Sequence, residues 1–166
     1  MFLVDSNVLI EAKNRYYAFD IAPGFWAWLD YAHSNHIACS IEPVRDELFE
    51  GEDELARWAR GHADFFRPID EAAISHFAPL TAWAQSRMYT AAALTEFLTN
   101  AADFFLVAYA AAHNHTLVTH EQPRPEARKR VLIPDACQAM DVTYMNTFMM
   151  LRSTKARLDF QLPAAS

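Results

Sequence analysis

The chain has 166 residues, 52% of them hydrophobic and 21% charged, which describes one globular domain with a continuous core rather than two domains. Fourteen Lys and Arg against 21 Asp and Glu leave a formal net charge of -7, the wrong sign for a protein that holds nucleic acid through phosphate contacts alone. Three glycines are too few for a phosphate-cradling loop, and no Walker or dinucleotide fingerprint is present. The longest apolar stretch, Phe104 to Ala112, is roughly half of the ~20 residues that a bilayer span needs, and Met1 to Val4 runs into Asp5 with no basic region before it. Neither a membrane span nor a signal peptide is expected. Cys39 and Cys137 stand in unrelated contexts, which excludes a disulfide framework and a zinc knuckle and points to a reduced, cytoplasmic protein.

Phe2-Leu3-Val4 is a short apolar run that stops at Asp5-Ser6-Asn7, after which Val8, Leu9, Ile10 and Ala12 set a helical period. This predicts a strand, a polar corner and a helix, with Ser6 or Asn7 capping the helix start and Asp5 at the carboxyl end of a central strand. Pro23-Gly24 and the aromatic run from Phe25 predict a second helix ending near Ser34-Asn35, followed by a strand over His36 to Cys39. Ser40 and Pro43 mark the start of a helix through Val44 to Leu48. From Gly51 to about Ala93 the text reads as two or three helices, one of them from Ala72 to Trp83. Asn100 to Asp103 opens the strongest helix, Phe104 to Ala112, whose near-continuous apolarity predicts a central position. Thr116 to Thr119 is a strand of β-branched residues, and Gln122 to Arg130, with two prolines and four basic residues, is an exposed loop. The apolar triplet Val131 to Ile133, a helix from Pro134 to Met140, the segment Val142 to Met145 and a helix from about Asn146 to Arg152 follow. Residues 153–166 form a tail, frayed at Pro163 to Ser166. Strands alternating with helices predict an α/β fold: a three-layer α/β/α sandwich with a short central parallel sheet and a helical insertion, in one domain over residues 1–152.

If the strands at Phe2, His36 and Thr116 are parallel neighbours, their carboxyl ends open on one edge, where open α/β sheets bind ligands. Asp5 ends the first strand, Glu47 lies about two turns into the helix after the second, Asp103 starts the buried helix, and Glu121 follows the Thr116 strand. Four carboxylates in one pocket repel one another, which is tolerable when divalent cations sit between them, and Mg²⁺ or Mn²⁺ is the natural occupant. Two such ions roughly 3.5–4 Å apart can activate a water and stabilise the leaving oxygen of a phosphodiester. Each acid also has a plainer role open to it. Asp5 can cap a helix, Asp103 can sit at a helix N-terminus for the dipole alone, and Glu121 can pair with Arg124. Glu47 shares an acidic segment with Glu42, Asp46 and Glu50 and is preferred because Val44 and Leu48 flank its face. Asp135 reads as a helix-start acid, Glu11 as a partner of Lys13 or Arg15, His120 as solvent-facing, and Trp26, Trp28, Trp58 and Trp83 as core or interface.

Four strings, Phe2-Leu3-Val4-Asp5-Ser6-Asn7-Val8, the Ser40 to Leu48 block, Ala102-Asp103-Phe104 to Ala110, and Leu117-Val118-Thr119-His120-Glu121, resemble the four acidic blocks of PIN-domain ribonucleases, in family order from Met1 to about Leu151. The continuation Glu11 to Tyr17 is similar to a bacterial PIN subgroup close to VapC-type toxins. The resemblance implies a PIN-like fold and an Mg²⁺- or Mn²⁺-dependent endoribonuclease, the toxin half of a toxin–antitoxin pair. It also implies a homodimer and an antitoxin segment that covers the acidic edge. Asp5, Glu47 and Asp103 match the family's metal-binding acids, Ser6 and Asn7 the polar pair after the first acid, and Thr119 the threonine of the fourth block. Glu121 stands where the family commonly has an aspartate, which bears on the second metal position and admits an alternative: a PIN-like scaffold that has lost its chemistry and serves as an interaction module. A metal-dependent phosphatase with Asp5 as nucleophile is a further alternative, disfavoured because Asn7 stands where an Asp-x-Asp motif needs its second acid. Arg124, Arg128, Lys129 and Arg130 form the one basic cluster and follow the fourth block directly, where they can hold RNA phosphate.

Overall fold

Five short strands form one parallel sheet: β1 (Phe2–Val4), β2 (Ala38–Ile41), β3 (Phe66–Arg67), β4 (Thr116–Val118) and β5 (Tyr144–Met145), in the order β3-β2-β1-β4-β5. Phe2 stands opposite both Ala38 and Thr116, and Val4 opposite Val118. Leu3, Val4, Cys39, Leu117 and Val118 are fully buried, because a parallel sheet covered on both faces leaves no polar side for its strands. The computed structural model describes residues 1–100 and 102–159, so the expected fraying at Pro163 to Ser166 lies outside the described residues.

The helices are α1 (Ser6–Glu11), α2 (Pro23–Ser34), α3 (Glu42–Phe49), α4 (Glu54–Gly61), α5 (Glu71–Ile74), α6 (Phe77–Ser86), α7 (Ala91–Thr95), α8 (Ala102–His113), α9 (Ile133–Ala139) and α10 (Thr147–Ser153). Wide π-type turns extend α1 over Ala12–Tyr16 and α7 over Glu96–Asn100. The parallel sheet flanked by helices is the α/β fold that the alternating pattern predicts. The chain steps outward from β1 through β2 to β3, then crosses back to β4 and β5, so the strand order reverses between β1 and β4. Right-handed crossovers place the helices of the two halves on opposite faces, and the reversal opens a crevice at the carboxyl ends of β1 and β4. α8 is the central helix, with Phe104, Leu106, Val107, Ala108 and Ala110 buried. No single helix among the described residues is long and apolar enough to cross a membrane.

Four helices stop by the same device. His36, Asn114, Asp141 and Lys155 take φ angles of 56°, 51°, 55° and 55°, and the next N–H reaches back to close the end: Ile37 N to Ala32 O at 2.7 Å, His115 N to Ala110 O at 3.0 Å, Val142 N to Cys137 O at 2.9 Å, Ala156 N to Leu151 O at 2.9 Å. The first three closed ends deliver the chain into β2, β4 and β5. With three glycines in the chain, residues with side chains fill these left-handed positions, and Asn and Asp tolerate them best after glycine.

Several expectations shift. β2 begins at Ala38 instead of His36, because His36 belongs to the left-handed end of α2. Ser40 does not start a helix: it lies inside β2, and its Oγ donates to Val4 O at 2.6 Å, while α3 starts after Ile41 with Pro43 in its first turn. Neither Ser6 nor Asn7 caps α1. The Ala72 to Trp83 segment is split between α5 and α6. β3 is an edge strand of two residues, too short to leave a pattern, and it stops ahead of Pro68. Trp26 is buried and Trp28, Trp58 and Trp83 pack against the core, as expected. Ser40→Ala removes a fully buried bond that fixes the residue immediately before Asp5; urea denaturation is expected to show a loss of about 1–2 kcal/mol.

Candidate active site

Asp5 is the last residue that the sheet holds at its centre: its N–H donates to Val118 O at 3.0 Å, and the residue is 2% exposed. Thr119, the first residue beyond β4, donates its hydroxyl to Asp5 Oδ2 at 2.8 Å. Thr119 Oγ1 itself accepts from Asn7 Nδ2 at 3.0 Å and from Glu121 N at 3.1 Å, so one hydroxyl donates once and accepts twice. Asn7 Oδ1 in turn accepts from His120 N at 3.1 Å, and Ser6 Oγ donates to Asp5 Oδ1 at 3.4 Å. The polar corner therefore ties the end of β1 to the end of β4, which is why Asn7 is not free to cap α1.

The other acids arrive on three separate elements. Val44 and Leu48 are buried under α3, which turns Glu47 toward α8, and its Oε1 accepts from Ala102 N at 3.2 Å. Asp46 and Glu42 instead pair with Arg45, at 3.0 and 3.2 Å. Asp103 sits in the first turn of α8. Asp5, Ser6, Asn7, Glu47 and Asp103 together line a cavity of about 250 Å³, along with Ala93, Glu96 and Phe97 and with Lys129, Arg130 and Val131. Glu121 stands beside this cavity and does not line it: its Oε2 accepts from Ile133 N at the start of α9 at 2.8 Å, and its Oε1 meets Arg130 Nη2 at 2.6 Å. That guanidinium also lies 3.7 Å from Asp103 Oδ2.

Of the basic cluster, Lys129 and Arg130 reach the cavity and Arg124 and Arg128 do not. Arg124 N donates to Asp135 Oδ2 at 3.1 Å, and the Arg128 guanidinium donates to the carbonyls of Pro125 and Ala127. His120 is half-buried, with Nε2 3.0 Å from Thr147 Oγ1 and its ring between Tyr16 and Phe148, where a solvent-facing ring was expected. Glu11 pairs with Arg15 at 3.4 Å, whereas Lys13 pairs with Asp53 at 2.7 Å. Glu96 was missed. It belongs to the π-type turn that follows α7, where the wider turn puts side chains out of the phase that a helical reading assumes.

Burial pushes the Asp5 carboxyl up to about 7; the Thr119 hydrogen bond opposes this, and the charges of Glu121 and Glu47 add to it. Burial, followed by the charges of Asp5 and Glu121, likewise holds Asp103 well above the usual carboxylate range, against the pull of Arg130. The site is thus short of positive charge. Among the described residues no group of three His, Cys, Asp or Glu is arranged to hold a metal ion. The donor set nevertheless fits a hard divalent cation, since every candidate ligand is a carboxylate oxygen and Arg130 occupies ground between two of them.

The fold and this crevice define the class: a parallel α/β domain with its acids at the strand-order reversal. The chain belongs to the family described as Domain of unknown function (DUF4411), which matches residues 2–158. Three solved structures share the fold. VapBC2 from Rickettsia felis, bound to a DNA fragment from their promoter, aligns with a TM-score of 0.53 and 13% identity over 87% of this chain and 97% of that chain. FitAB bound to an IR36 DNA fragment gives 0.53 and 18% over 88% and 94%, and FitAcB from Neisseria gonorrhoeae gives 0.51 and 18% over 89% and 99%. No curated protein matches the chain in sequence.

An Asp5 carboxyl raised from its ordinary 3.8 to about 7 takes up its proton more readily in the folded chain than in the unfolded one, so stability falls as pH rises between those values. In EDTA, Asp5→Asn is expected to match the native chain near pH 4 and to exceed it at pH 7.5 by on the order of 4 kcal/mol in denaturant titrations.

Proposed function

We propose that this chain is a metal-dependent endoribonuclease that hydrolyses RNA phosphodiesters, and the toxin component of a toxin–antitoxin pair. The observation that carries the reading is the convergence of Asp5, Glu47 and Asp103 on one cavity at the β1/β4 reversal, with Asp5 and Asp103 both raised by burial and by neighbouring negative charge. In this reading Asp5, Glu47 and Asp103 hold Mg²⁺ or Mn²⁺, and Glu121 adds a ligand from the β4 side. A divalent cation there supplies charge to the phosphate and lowers the pKa of water toward about 7. Thr119 and Ser6 fix the Asp5 carboxylate, and Asn7 keeps the two strand ends in register. Lys129 and Arg130 stand where an RNA phosphate enters, with Arg124 and Arg128 further back on the same loop.

Residues 1–152 make up the nuclease domain and 153–166 its tail. The PIN resemblance and the likeness to VapBC2 and FitAB support an antitoxin partner, and the resemblance also supports a homodimer. The place of action is the cytoplasm, which suits two buried, unpaired thiols. A second reading, the non-catalytic interaction module, draws on one observation: both oxygens of Glu121 are already engaged, by Arg130 and by the start of α9.

Incubating a mixed set of structured and single-stranded RNAs with and without Mn²⁺ separates the two. The native chain is expected to cleave in Mn²⁺ alone, and Asp5→Asn and Asp103→Asn to lose about 100-fold or more while remaining folded. A folded Asp103→Asn protein with undiminished metal-dependent cleavage overturns the ligand set. Absence of both cleavage and calorimetric Mn²⁺ binding in the native chain establishes the interaction module instead.

A further inference from the structure

Arg130 is where the basic loop meets the acids. Its Nη2 lies 2.6 Å from Glu121 Oε1 and 3.7 Å from Asp103 Oδ2, so one corner of one guanidinium serves carboxylates from two different elements. Among the described residues no other cation pairs with either acid. The Asp103 and Glu121 side chains are 15% and 10% exposed, whereas that of Arg130 is 65% exposed, so the acids are fixed by packing and the arginine is the partner free to move. The backbone around it is held. Arg128 O accepts from Thr90 N at 2.8 Å, Val131 is buried, and Ile133 N is bound to Glu121, which leaves the side chain to swing while the loop stays in place.

The two contacts differ in length. At 2.6 Å the ion pair with Glu121 is close, whereas at 3.7 Å that with Asp103 is long and correspondingly weaker. Asp103 is therefore the acid that Arg130 gives up first. A guanidinium carries five N–H donors in a rigid fork, and the two acids meet one of its nitrogens, so the remaining donors can take a phosphate in the bidentate manner that arginine favours.

We propose that Arg130 is a phosphate-positioning residue that doubles as the counter-ion of the bare acids. Without a divalent cation it bridges Asp103 and Glu121; when Mg²⁺ or Mn²⁺ takes Asp103, it stays on Glu121 and turns its free N–H groups to the RNA phosphodiester. The inference rests on the nuclease reading above and adds to it the exchange of Arg130 from Asp103 to the phosphate as the metal binds. It also gives Glu121 a second task beside the metal ligation proposed above, that of holding the arginine through Oε1.

The test compares Arg130→Gln and Arg130→Lys with the native full chain, using Mn²⁺ titration calorimetry alongside KM and kcat for RNA cleavage. Removing a competing cation is expected to tighten Mn²⁺ binding by about threefold to tenfold in Arg130→Gln, while KM for RNA rises about tenfold and kcat changes less. Arg130→Lys is expected to recover part of the KM loss, since an ammonium carries the charge and not the fork. A purely structural arginine would weaken metal binding and thermal stability together, the opposite sign for the metal. Equal or weaker Mn²⁺ binding by Arg130→Gln, with native binding intact, overturns this inference and leaves the nuclease reading standing. If neither chain binds Mn²⁺, the nuclease reading fails and this inference fails with it.

Discussion

The hydrogen bond from Thr119 to Asp5 is what makes the β1/β4 crevice a site. A carboxylate that is 2% exposed at the centre of the sheet has lost its water, and the effective penalty for a buried ion is several kcal/mol. One hydrogen bond to a charged group returns about 1.5–3 kcal/mol, so it does not win against burial combined with two nearby acids, and the Asp5 carboxyl ends up near 7. The bond decides geometry instead. It aims Oδ2, and because the same hydroxyl accepts from Asn7 and from the Glu121 backbone, it sets the position of the whole β4 exit relative to β1.

The remaining compensation comes from helix ends. Glu47 accepts from Ala102 N at the start of α8, and Glu121 accepts from Ile133 N at the start of α9. Each joins two elements far apart in sequence, and each places negative charge on the positive end of a helix, which is worth about 0.3–1 kcal/mol at ordinary exposure and more when partly buried. The acids are thus fold elements and site elements at once. This is why neutral amides that keep an acceptor oxygen separate chemistry from stability better than alanine does: Asn at Asp5 still accepts from Thr119, whereas alanine leaves that hydroxyl without its acceptor.

What the sequence showed and what it hid divide along a physical line. β1, β4 and α8 were legible because unbroken apolar runs of those lengths have few other solutions; Asp5 and Asp103 followed from the ends of such elements, and Glu47 from the apolar Val44 and Leu48 that flank its face. The register of β2 was hidden because it turns on one φ angle at His36, a residue type that does not advertise a left-handed position as glycine would. The roles of Ser6, Asn7 and Ser40 were hidden because their hydrogen-bond partners lie across the sheet in Thr119, His120 and Val4, and capping preferences describe only local bonds. Glu96 was one acid among 21 with no phase to single it out, and Arg130 one of four basic neighbours whose difference lies in contacts.

The same distinction resolves the apparent conflict between a net charge of -7 and the proposed RNA substrate. Net charge acts over distances that salt screens within about 8–10 Å at physiological ionic strength, whereas a phosphate in the crevice meets the few charges that line it. Lys129 and Arg130 are the cations that line it, together with the acids Asp5, Glu47 and Asp103. With so few phosphate contacts, long-range attraction adds little to capture, and tight sequence-independent binding to RNA does not follow from this surface. Under the proposed function such a surface suits holding the substrate at one phosphodiester, where the charge that matters is exchanged locally between acids, arginine and ion.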